Sequence, residues 1–63
     1  MKRGDLIKSW SHYTKKWEYG VVLGRQIHVS PVNKELYEFL VYFFHDHQVD
    51  HMLEKHMEIV SES

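Results

Sequence analysis

Apolar residues in this chain come in short phrases, with turn-forming or charged residues between them. GDLIKSW opens the chain and EYGVVLG follows a polar break. FLVYFFHD lies in the middle and VDHMLEKHMEIV near the end. Runs of this length, punctuated at regular intervals, are the pattern of a small all-β domain. The stretch from Leu36 to Phe44 constrains the fold most. Six of its nine residues are aromatic or β-branched, types that crowd a helix and suit a pleated surface. Alternation puts Phe39, Val41 and Phe43 on one face and Leu40, Tyr42 and Phe44 on the other.

A helical reading competes. Val32, Leu36, Phe39, Leu40, Phe43 and Phe44 also fall at helical spacing, as do Val49, Met52, Leu53, His56, Met57 and Val60. Ser30-Pro31 has the chemistry of a cap and a first helical residue. Composition decides for strand at 36–44. For 49–60 the spacing alone leans towards helix.

Along the chain, Gly4-Asp5 begins a first strand in which Leu6 and Ile7 are apolar. Trp10 stands where that strand ends, and residues 11–17 (SHYTKKW) read as a long exposed loop. Tyr19 to Val29 is a second run. Gly20 marks a bulge or a close approach, and Gly24 either kinks one long strand or turns between two. The break at 30–35 contains Pro31, which cannot donate to a ladder. After a turn at His45–Gln48 come a short strand at 49–52, one helical turn at 53–56 and a last strand at 57–60. Ser61-Glu62-Ser63 forms a tail.

Sixty-three residues make one domain, 1–63. A chain of that size buries only about 60% of its unfolded surface. It contains no cysteine, so no disulfide can reinforce it, and a reducing compartment is expected. Association between copies is then the expected extra source of stability. The N-terminus lacks a secretory pattern, and no stretch approaches the ~20 apolar residues of a membrane span, so a soluble intracellular protein with no membrane partner is expected.

The order of phrases resembles small SH3-like barrel proteins of marine bacteriophages. GDLIK (4–8), YGVVL (19–23), LVYFFHDHQVDHML (40–53) and MEIVSES (57–63) carry the likeness. Two positions depart from the family pattern. His47 stands where the family has a turn glycine, and His51 where it often has tryptophan. The resemblance implies an all-β, five-stranded SH3-like barrel with one short helical turn before the last strand. It also implies a viral source and hence a host-cytoplasmic location. It carries over no catalytic residue. In such a barrel, residues 11–17 occupy the RT-loop position.

Three kinds of chemistry follow from the residues. Both faces of 36–44 are apolar, yet so small a barrel has one interior. Leu40, Tyr42 and Phe44, with Tyr37 nearby, are expected to point outward and, with Trp10, Tyr13 and Trp17, to bind a protein partner or a second copy. A nucleic-acid surface is the alternative. Lys2, Arg3, Lys8, Lys15, Lys16 and Arg25 interleave with those aromatics, giving phosphate contacts beside stacking platforms. The pI near 6.6 argues against it. Charge is nevertheless asymmetric: residues 1–28 hold six Lys or Arg against two acids, and residues 29–63 two against seven. Metal ligation by His45, Asp46, His47, Asp50 and His51, with His56, is the third. Their spacing matches no zinc signature and no thiolate is present, so solvated turn residues are the preferred reading, with no metal or other cofactor.

No nucleophile elbow, Ser-His-Asp order, Gly-rich phosphate loop or carboxylate pair occurs, so no enzymatic activity is expected. Six histidines would take the formal charge from −1 to +5 on full protonation, so association should respond to pH between about 5 and 7.

Overall fold

The computed structural model describes residues 1–29 and 35–63, with side chains described outside 26–37. The described residues form one antiparallel sheet of five strands: β1 (Leu6–Ser11), β2 (Lys16–Val29), β3 (Glu35–Phe43), β4 (Gln48–Leu53) and β5 (Met57–Ser61). A 3-10 turn, Glu54–His56, links the last two. Their order in the sheet is β4-β3-β2-β1-β5. The strand reading of 36–44 holds as far as Phe43, and Phe44 already belongs to the turn. The segment at 49–60 is strand, helical turn and strand, although spacing alone leaned to helix. Pairing decides it: β4 lies along β3 and β5 along β1, and each backbone finds its hydrogen bonds there.

Alternation sorts β3 as expected. Phe39, Val41 and Phe43 are buried, whereas Leu40 and Tyr42 are half-buried and Phe44 is exposed. The core comprises Ile7, Val22, Phe39, Val41, Phe43 and Met57, with Met1 and Met52 packed against it. Gly20 lies where β2 passes under this core. A Cβ there would sit 2.6 Å from the Tyr42 carbonyl oxygen and 2.8 Å from a Val41 methyl. Close backbone approach therefore penalises every larger residue. Gly24 kinks one long strand rather than ending it. The β2–β3 register shifts between Val22 and Gly24, so Leu23 forms a bulge.

The loop expected at 11–17 is much shorter. Only 12–15 turn, while Lys16 and Trp17 already belong to β2, opposite Ser11 and Trp10. Lys15 takes φ 57° and its amide donates to the Ser11 carbonyl at 2.9 Å, closing the turn in four residues. The β3–β4 connection repeats the device. His47, where the resembled family has glycine, adopts φ 55° as the last of four connecting residues. The first strand begins at Leu6, not Gly4. Gly4 and Asp5 instead form a knot: Gly4 (φ 92°) donates to Val22, and Val22 donates back to Asp5. Position 30–34, including the break around Pro31, lies outside the described residues.

Candidate functional site

The side of the sheet away from the core carries rows of apolar side chains. Leu6 pairs with Val21, Val21 with Tyr42 and Tyr42 with Val49, so one row crosses β1 to β4. The next row holds Lys8 opposite Tyr19, with Phe44 donating its amide to the Tyr19 carbonyl. The third is Trp10 opposite Trp17. Tyr19, Phe44 and Val49 are each 44% to 50% exposed, and the two tryptophans about 40%. Among the described residues no tail or loop covers this side, because the chain end is spent elsewhere, bound to Asp5. The rings are held in place rather than splayed. Trp10 and Trp17 meet edge-to-face at 5.4 Å, and Tyr42 and Phe44 at 5.9 Å. The Lys8 ammonium sits 4.3 Å from the centre of Trp17.

Of the expected partner-binding residues, Trp10, Trp17, Tyr42 and Phe44 therefore share one side, and Leu40 lies on the same side, paired with His51. Tyr13 is fully exposed at the tip of the β1–β2 turn. The Tyr37 side chain lies outside the described residues. Two members of this surface escaped the sequence reading. Tyr19 and Val49 stand on it because of register, which only strand pairing reveals.

The basic residues do not converge. Lys2 and Arg3 lie beside Asp5 at one end of β1, and Lys15 and Lys16 at the opposite end. Lys8 lies between, its ammonium 3.7 Å from the Glu58 carboxylate. Arg25 pairs with Phe39 in the outer half of β2. The histidines do not converge either. His45 contacts Glu18 at 3.0 Å and Asp46 at 3.5 Å, His47 the Tyr42 hydroxyl at 2.7 Å, and His51 Glu38 at 3.4 Å. His51 lies across from Leu40. Among the described residues no three His, Asp or Glu side chains gather in a geometry for a metal ion.

A groove opens at the tryptophan end. Its volume is about 380 Å³ and its walls come from four elements: Trp10 and Trp17 from the β1–β2 hairpin, Met52 from β4, Lys55 and His56 from the 3-10 turn, and Met57 from β5. His12 and Glu58 also line it. The turn is fastened to β1 by the buried Ser9 hydroxyl, which donates to the His56 carbonyl at 3.0 Å. Ser9 is paired with Met57, so one serine holds both walls of the groove.

At the far pole, Asp5 is 2% exposed and binds both chain ends. Its carboxylate accepts from the Ser63 amide at 3.0 Å and the Lys2 amide at 2.9 Å. These two bonds, the Ser63 amide first, hold its pKa below the usual 3.8. The Lys2 and N-terminal charges add to them and burial opposes.

Comparison with known proteins found no matching family model, no matching curated protein and no matching solved structure.

Proposed function

We propose that this chain is a non-enzymatic interaction module, a small SH3-like barrel of phage type that binds a protein partner and joins copies of itself. The outer side of the sheet is its binding surface. One observation carries the reading: Tyr19, Phe44, Val49, Trp10 and Trp17 are exposed together on one side, where Trp10 packs on Trp17 and Phe44 on Tyr42. Preorganised aromatics lose little rotamer freedom on binding, and contiguous apolar surface is what a partner covers.

Support for the SH3-like barrel comes from the strand order, from a 14-residue β2 bent at Leu23, and from a single 3-10 turn before the last strand. A bulged strand of that length can serve both halves of a curled sheet. The phrases at 4–8, 19–23, 40–53 and 57–63 support the phage family, and with it a host-cytoplasmic setting. Nucleic acid is the weaker candidate, because the cations are dispersed over both ends of β1.

Light scattering over a concentration series tests the module. Wild type should assemble beyond the monomer, and Tyr19→Ser with Phe44→Ser should abolish assembly while leaving the circular-dichroism spectrum unchanged. A tagged pull-down with and without nuclease runs beside it. A strict monomer that retrieves the same proteins as the double variant would sink the reading. Nuclease-sensitive, salt-sensitive capture would replace it with the nucleic-acid one.

A further inference from the structure

We infer that the groove between the β1–β2 hairpin and the 3-10 turn recognises an acidic peptide segment bearing a large apolar side chain. The inference rests on the reading that this chain binds protein, and it names the chemistry of the segment.

Size comes first. About 380 Å³ lies near the lower end of the roughly 300–1,000 Å³ of ligand pockets. That is room for one or two side chains and a little backbone, not for a folded surface. The lining is apolar and adaptable. Trp10 and Trp17 form one wall, and Met52 and Met57 bring unbranched thioethers that mould to an irregular guest.

Charge then selects the guest. Lys55 contributes a permanent positive charge to the lining, and the His12 and His56 imidazoles add hydrogen-bonding nitrogens. Glu58 is the acid of the lining, and its carboxylate faces the Lys8 ammonium at 3.7 Å. Glu54 precedes Lys55 in the turn but is not part of the lining. A peptide carboxylate beside the inserted side chain would therefore meet the Lys55 ammonium, with Glu58 already engaged by Lys8. The groove also has fixed walls, since the Ser9 bond to the His56 carbonyl ties the 3-10 turn to β1.

A nucleobase fits less well. The two indoles offer four faces. The edge-to-face contact at 5.4 Å and the Lys8 ammonium 4.3 Å from Trp17 already occupy part of that surface, leaving at most some of the faces open. Stacking platforms need open faces, whereas an aliphatic or phenyl side chain needs only a notch.

The chain carries its own reporter. It has two tryptophans, and both line this groove, so indole emission reads occupancy directly. The probes are a short blocked peptide with Leu-Phe flanked by glutamates, the same peptide with lysines in their place, and a single-stranded thymidine oligonucleotide. The acidic peptide should shift the emission saturably. Lys55→Glu, on an exposed side chain, should weaken it by roughly tenfold, and Lys55→Met by less. Arg3→Glu, at the opposite pole, should leave it unchanged. The inference is overturned by any of four outcomes: no shift with the acidic peptide, equal binding of the lysine peptide, tighter binding of the oligonucleotide, or indifference to Lys55→Glu. An emission shift on raising the protein concentration alone, if it persists in the variant carrying Tyr19→Ser and Phe44→Ser, would make the occupant a second copy and overturn it too. Should the peptide fail while assembly still depends on Tyr19 and Phe44, only the groove assignment falls. If both fail, the module falls with it.

Discussion

Asp5 draws more of the chain together than any other side chain described. Its carboxylate accepts from residues 2 and 63, and its backbone pairs with Val22. Its folded pKa lies below the usual 3.8, so between the two values the unfolded chain binds more protons. Stability from this group is therefore complete above the unfolded value and drains away as pH falls through the folded one. Urea titrations from pH 6 to pH 2 should show a midpoint that falls below about pH 4. Asp5→Asn should flatten that fall and lower the midpoint at neutral pH. Two further residues, Lys15 and His47, have conformations their chemistry resists. Lys15 holds φ 57°, and Lys15→Gly should stabilise by about 1 kcal/mol in denaturant melts. Gly20→Ala should do the reverse, by about 1–3 kcal/mol, because the new methyl would meet the Tyr42 carbonyl at 2.6 Å.

At the scale of the element, β3 shows what alternation does energetically. Phe43 is 3% exposed and Phe44 is 45% exposed, one step apart. Phe43→Ala should cost about 3–5 kcal/mol, close to everything a chain of this size has, roughly 3–5 kcal/mol. Phe44→Ala should cost under about 0.5 kcal/mol. Near-ultraviolet circular dichroism at room temperature would separate an unfolded variant from a folded one. This contrast was legible in the sequence, because period two is a local property of nine residues rich in rings and branched carbons. The form of 49–60 was legible only in part. Its spacing suits a helix, and what overrules that is pairing with β1 and β3, which no local window contains. The short turn at 12–15 escaped because nothing in a lysine announces a left-handed backbone. The outer-side companions Tyr19 and Val49 escaped for want of register. The groove was least legible of all, since its walls come from positions near 10, 17, 52 and 57 and meet only when β5 closes on β1.

For the whole molecule, that closure sets the folding problem. Ser9 pairs with Met57 and Leu6 with Ser61, contacts between opposite ends of the chain. Non-local pairings pay loop entropy before they return any stabilisation, so refolding should take about milliseconds to seconds. Stopped-flow tryptophan fluorescence would measure it, and a microsecond phase carrying the full amplitude would contradict it. The core is small, with six buried apolar side chains among the described residues, so little surplus exists to absorb damage. Covering the exposed rings by a partner would add stability that the chain alone lacks.

The ends joined at Asp5 have a practical corollary. The Ser63 hydroxyl donates to the Arg3 carbonyl at 3.2 Å, so head and tail are stitched side by side, a full strand length from the indole pair. A short linker could splice one to the other, and fresh ends could be cut at fully exposed Tyr13. Any fusion attached beside Met1 or Ser63 departs from the same pole, leaving the aromatic mouth unobstructed.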